Sequence, residues 1–98
     1  MNIYVRDIVE KCSGTLLIGD EKIVLDNFSK DTRTLHKNDI YVGIKGDVLD
    51  GNTLYKEALT KGAKGCILNT NTAIDQEFIA KFNNIFNYNI TFIINCIF

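Results

Sequence analysis

The sequence predicts an α/β domain, with a small mixed sheet that contains a βαβ unit and carries two or three helices. Two observations point to this. Residues 39–69 run strand, loop, helix, strand, the order of a crossover joining two parallel strands. The second of those strands, "GCILN" (65–69), is a short all-apolar run, as expected of a strand covered on both faces.

Taken from the start, Val5, Ile8, Val9 and Cys12 follow the i, i+3, i+4, i+7 spacing of one helical face, and Gly14 is placed to stop that helix. "TLLIG" (15–19) and "IVLDNF" (23–28) read as strands separated by the turn "DEK". A polar loop (29–39) leads to a strand on which Ile40, Val42 and Ile44 share one side. "NTLYKEALTKG" predicts a helix with Asn52 as N-cap, Tyr55, Ala58 and Leu59 on one face, and Gly62 at its end. "NTAIDQEFIAKF" (71–82) predicts another, with Thr72 and Asp75 as a capping box and Phe78, Ile79 and Phe82 on one face. Ile90, Phe92, Ile94 and Cys96 alternate as in a strand.

Residues 82–98 carry no charge and are rich in Asn, Ile and Phe. The composition therefore divides the chain into a domain over 1–86 and an atypical apolar extension, or altered end, over 87–98. Left unpaired, that segment would favour aggregation and self-association.

Composition narrows the function classes. A length of 98 residues suits one domain. With a net charge of −1 there is no basic stripe for nucleic acid. The longest apolar runs fall far short of the roughly 20 residues that span a bilayer, so no membrane role is expected, and the N-terminus lacks the pattern of a signal peptide. Three widely spaced cysteines, Cys12, Cys66 and Cys96, with no CxxC, predict inert buried thiols in a reducing cytoplasm. His36, the single histidine, lies in a polar loop and reads as a surface residue. No metal-ligand spacing, phosphate loop, dinucleotide fingerprint or nucleophile elbow occurs.

The candidate site is the loop "KGDVLDG" (45–51) beyond the carboxyl end of strand 40–44, where ligands gather in open α/β sheets. Gly46 and Gly51 allow sharp turns and close backbone approach. The helix start offers amides to an anion, Lys45 offers a cation to a phosphate, and Asp47 an acceptor for an imide N–H or sugar hydroxyls. The loop "SKDTR" (29–33) adds the Thr32 hydroxyl and the planar fork of Arg33. On a purely structural reading, Asp31 and Arg33 staple their own loop.

As a set at fixed spacing, these pieces resemble the N-terminal domain of the Mur ligases, most closely the MurF type. The resemblance covers about residues 3–80. It rests on Asp31-Thr32-Arg33, Asn38-Asp39, strand Ile40 to Ile44, Lys45-Gly46-Asp47, Asp50-Gly51, and Gly62-Ala63 ahead of Cys66-Ile67-Leu68. Asn38 stands where the family often has Gly, and Asn52 where it often has His; asparagine tolerates left-handed backbone and caps helices.

The resemblance implies a Mur ligase N-terminal domain-like fold that grips the UDP moiety of UDP-N-acetylmuramoyl-peptide, in a cytoplasmic ATP-dependent ligase that adds D-alanyl-D-alanine in peptidoglycan synthesis. It implies UDP contacts at Thr32, Arg33, Lys45, Gly46, Asp47, Val48 and Leu49. ATP and Mg²⁺ would be held by other domains of a full-length ligase, so this chain alone, with no Gly-Lys-Thr/Ser loop, is expected to need no cofactor and to be inactive. The alternatives are a MurE-type ligase domain and a protein-interaction module that docks a partner by strand addition.

Overall fold

The computed structural model describes residues 2–86 and 92–96. A five-stranded mixed sheet forms the centre. Its strands are β2 (Thr15–Gly19), β4 (Phe28–Ser29), β5 (Ile40–Val42), β6 (Gly65–Asn69) and β7 (Phe92–Cys96), in the order β2-β7-β6-β5-β4. β4, β5, β6 and β7 are mutually parallel, and β2 runs antiparallel to β7, with an irregularity between Leu16 and Ile18. The expected parallel pair is therefore present as β5–α2–β6, where α2 is Tyr55–Thr60, and α3 (Gln76–Phe86) links β6 to β7. A separate two-stranded ribbon pairs β1 (Ile3–Tyr4) with β3 (Val24–Leu25) beside α1 (Val5–Lys11).

Two apolar layers enclose the sheet. On one face Tyr41, Cys66, Leu68 and Ile93 pack against Tyr55, Ala58 and Leu59 of α2 and Ile79 and Phe82 of α3. On the other, Ile40, Ile67, Phe92, Ile94 and Cys96 pack against Val5, with Ile8 and Val9 of α1 and the following Cys12 partly buried alongside. The alternation along β5, β6 and β7 sends neighbouring side chains to opposite layers. Phe92, Ile94 and Cys96 share a face as the sequence predicts; Ile90 lies outside the described residues. Gly65 stands opposite Phe92 in register, and a Cβ there would lie 2.5 Å from two carbons of the ring.

The segment set apart by its composition lies partly at the heart of the sheet. β7 is hydrogen-bonded to β6 on one side and β2 on the other, so it presents no free edge. Its lack of charge follows from its place: Phe92, Ile93 and Ile94 are fully buried, and a charged side chain there would lose its hydration without a partner.

Several expectations are corrected. The strand expected over 23–28 divides at Asp26–Asn27 into β3, in the ribbon, and β4, at the edge of the main sheet. The helix expected from Asn52 begins as a 3₁₀ turn, Gly51–Leu54, and its cap is Asp50, whose carboxylate accepts the Asn52 N–H. The second capping site is Asp75 alone, accepting the Phe78 N–H at 3.0 Å. Strand β5 ends at Val42, so Ile44 lies beyond it and is exposed. Ser13, at φ 50°, takes the left-handed position after α1, whereas Asn38, at φ 72°, adopts the geometry expected of it, and Gly62, at φ 102°, ends α2.

The cysteine expectation is also corrected. Cys12 and Cys96 form a disulfide, joining the end of α1 to the end of β7 across a sequence separation of 84. Helix α1 lies on the face of the sheet to which Cys96 points, which brings two distant cysteines together in a way that their spacing does not announce. Cys66 is the free thiol; it is buried, and burial pushes its pKa up. Among the described residues no helix is long and apolar enough to cross a membrane.

Candidate functional site

Two loops meet at the carboxyl ends of β4 and β5 and leave a cleft of about 590 Å³ between them, within the usual range for small-ligand sites. Lys30, Asp31, Thr32 and Arg33 form one wall. Ile44, Gly46, Leu49 and Gly51 form the other, with Tyr41, Leu54 and Glu57 also lining the space.

The first wall is a self-closed loop. Asp31 Oδ1 accepts the Arg33 N–H at 2.8 Å, the Thr34 N–H bonds back to the Asp31 carbonyl, and the Ser29 hydroxyl donates to that carbonyl as well. The Arg33 side chain folds onto the same carboxylate, with Nη2 to Oδ2 at 2.8 Å and Nε to Oδ1 at 3.0 Å. The stapling role that the residues alone suggested for this pair is thus present. Thr32 is buried: its hydroxyl donates to Glu57 Oε2 at 3.2 Å, and Lys61 Nζ donates to its carbonyl at 2.9 Å while lying 3.4 Å from Glu57 Oε1. A hydroxyl that donates once keeps its lone pairs for a ligand donor.

The second wall is a short hairpin-like excursion. Lys45 and Asp50 form an isolated antiparallel bridge, and the Gly46 N–H donates to the Leu49 carbonyl. This pushes Asp47 and Val48 to the tip, with Val48 wholly exposed and Leu49 and Ile44 about half exposed. The base of the excursion is anchored from below. Tyr41 Oη donates to the Gly51 carbonyl at 2.6 Å, and the Gly51 N–H bonds to the Ile44 carbonyl at 2.8 Å. Burial, followed by nearby negative groups, pushes the Tyr41 phenol up to about 12, so it remains a neutral donor at ordinary pH.

Asn52 is the residue that sequence reasoning assigned wrongly. It is buried, its Oδ1 accepts the Asn69 N–H at 2.9 Å, and its Nδ2 donates to Asp50 Oδ1 at 2.8 Å. It thereby ties the excursion to the end of β6. Gly43 makes room for it, since a Cβ at that position would meet Asn52 Oδ1 at 2.5 Å. Nothing in the local sequence announced this role, because Asn52 meets Asn69 only through the fold. The expected cluster of free helix-start amides is reduced, because Asp50 already satisfies the amides of Asn52 and Thr53.

Of the sequence-derived candidates, Thr32, Arg33, Gly46 and Leu49 therefore line one cleft. Asp47 and Val48 are not among its lining residues and stand at the exposed tip of the excursion. Lys45 borders a second cavity of about 570 Å³, bounded by Asn52, Thr53, Lys56, Asn69 and residues 71–75. There Lys56 Nζ and Asp75 Oδ2 pair at 2.8 Å, which raises the lysine pKa and lowers that of the aspartate. Tyr41, Ile44, Leu54, Glu57 and Lys61 complete the main site and were not anticipated. His36 is a surface side chain, as expected. Most ionisable groups on the cleft are matched within it, Asp31 with Arg33 and Glu57 with Lys61, so its walls offer hydrogen bonds and an apolar lip to a ligand.

Hydrogen bonds from Arg33 pull the exposed Asp31 carboxyl down to about 2. Because the folded value lies below the unfolded one, the stabilisation is present above the ordinary carboxylate range and is lost as pH falls through about 2. The exposed Arg33 partner and screening by salt keep it small. Carboxyl-carbon NMR is expected to find the Asp31 midpoint near 2, with Arg33→Gln returning it toward 3.8. An unchanged midpoint in the variant would refute the pairing.

No protein-family model and no curated protein matches the sequence. Among solved structures, the chain is similar to the MurF ligase from Thermotoga maritima in complex with ADP, at 23% identity and a TM-score of 0.45 over 63% of this chain. The chain spans 17% of that protein's length.

Proposed function

We propose that this domain binds the UDP end of UDP-N-acetylmuramoyl-peptide, as the substrate-gripping part of a MurF-type ligase acting in the cytoplasm. The observation that carries the reading is the cleft itself. The two loops that bear the Asp-Thr-Arg and Lys-Gly-Asp motifs, separated in sequence, face each other across a space of nucleotide size. Leu49 and Ile44 offer an apolar surface to the flat uracil, and the Thr32 hydroxyl and the backbone of 46–49 offer hydrogen bonds to its imide edge. Lys30 on one wall supplies positive charge for the diphosphate; Arg33 adds its own on turning from Asp31 to the ligand, and Lys45 on swinging over from the neighbouring cavity. In this reading ATP and Mg²⁺ act in other domains of a longer ligase, and this chain contributes recognition without turnover. The MurE type is the alternative within the same plan.

Titration of the isotope-labelled chain with UDP tests the reading. Amide shifts are expected at Thr32, Arg33 and 46–49 at millimolar ligand, with CDP much weaker because cytosine presents the opposite hydrogen-bond pattern on that edge. Silence of those amides at millimolar UDP, or equal responses to UDP and CDP, would overturn the assignment to uridine.

A further inference from the structure

A series of hydrogen bonds between residues adjacent in the chain or in register leads from the disulfide-bonded Cys96 to the cleft wall. Cys96 is the last described residue of β7, and its carbonyl accepts the Thr70 N–H at 2.9 Å. Cys96 stands opposite Asn69 in the parallel β6–β7 register. The Asn69 N–H in turn reaches Asn52 Oδ1, and Asn52 holds Asp50 through both its own N–H and its side-chain amide. Asp50 is bridged to Lys45, and its neighbour Gly51 is fixed by Tyr41 Oη and the Ile44 carbonyl. The cross-link thus fastens β7 at the end of the sheet from which the cleft-forming excursion departs.

From this placement we infer that the Cys12–Cys96 bond is a thiol-responsive clamp on the cleft: its oxidised form holds the 44–51 wall in order, and its reduction loosens that wall and weakens ligand binding. The ligand part of the inference rests on the function proposed above. Disulfides in a reducing compartment are commonly transient and regulatory, so a cytoplasmic protein of this design would sample both states. The reductant is a low-molecular-weight thiol. Its thiolate attacks the sulfur of Cys12, a residue that is only partly buried, whereas Cys96 is buried; Cys96 leaves as a thiolate and takes up a proton. A second thiol then attacks the mixed disulfide and releases Cys12, which is protonated in turn. Two thiols have become one small disulfide, and two electrons and two protons have passed to the protein. Expelling a buried thiolate is slow, so exchange in the folded state is expected over minutes to hours. Cys66, sealed in the opposite layer, takes no part.

Hydrogen exchange on the full chain, equilibrated in glutathione buffers of graded redox ratio, decides the matter. Reduction is expected to speed exchange of the Asn69, Thr70, Asn52 and Gly51 amides by about tenfold or more, while the Thr34 amide in the opposite wall changes little. Cys12→Ala, which leaves the buried Cys96 in place, should reproduce the reduced pattern and no longer respond to glutathione. Loss of the bond also speeds buried amides that open only with the whole domain, such as Ile67; acceleration confined to α1 and β7, or wall amides that exchange no faster than Ile67, would overturn the clamp and leave a simple staple. Binding is read separately with UDP as the probe, and a several-fold loss of affinity on reduction is expected. Failure of both forms to bind UDP would refute the proposed function, and the exchange pattern would still decide the coupling.

Discussion

Replacing Cys12 with serine is expected to lower the stability of the domain by about 4 kcal/mol, the loop-closure contribution for a separation of 84 residues. Against the 5–15 kcal/mol that ordinary domains possess, this is a large share. In a chain of this size it corresponds to a fall in Tm of roughly 15–30 °C. The reason lies mainly in the unfolded chain, which the cross-link prevents from exploring most of its conformations. Cys12 is the better residue to change, because Cys96 is packed in the core beside Ile94 and Phe92, and its removal would add a packing loss to the measurement. Urea unfolding of the oxidised parent and the variant, followed by circular dichroism, gives the comparison. A difference below about 1 kcal/mol would mean that the bond contributes little to the folded state.

Asn52→Ala is expected to cost about 1–2 kcal/mol, since it deletes two hydrogen bonds made by a buried side-chain amide. The substitution removes the Oδ1 that accepts the part-buried Asn69 N–H, removes a partner of Asp50, and opens a space against Gly43. A double-mutant cycle separates these effects. Gly43→Ala alone should also destabilise, because its methyl group would press on Asn52. In the double variant the contacts with the Asn52 side chain are gone while the one with its Cα, at 2.9 Å, remains, so the combined loss should be somewhat smaller than the sum of the two. Additive losses would show that the two residues do not share the space. The cycle also bears on the cleft, because Asn52 is the hinge between its wall and the sheet.

The regular features were legible in the chain because they depend on near neighbours. The spacing of Val5, Ile8, Val9 and Cys12 marks α1, the apolar run 65–69 marks β6, and Gly62 marks the end of α2; each is a local pattern that local geometry reads out. The site was partly legible for the same reason. A Lys-Gly-Asp loop after a strand and an Asp-Thr-Arg loop before it identify the two walls. Their partners were hidden. Glu57 and Lys61 meet Thr32 only because α2 packs back over the sheet, and Tyr41 reaches Gly51 only because β5 ends where the excursion folds under itself. The break at Asp26–Asn27 was missed because a six-residue apolar pattern is equally compatible with one strand or with two short strands in separate sheets.

By itself, then, the sequence determined the α/β class, the crossover from β5 to β6, the helical faces and the two motif-bearing loops, all consequences of periodicity and of residues with strong local preferences. Tertiary structure alone decided that the uncharged C-terminal segment supplies an inner strand, that Asn52 ties strand to loop, and that Cys12 meets Cys96. Those outcomes depend on pairings between residues far apart in the chain, which are chosen by whichever arrangement buries the apolar surface of the sheet on both sides and leaves few backbone amides unpaired.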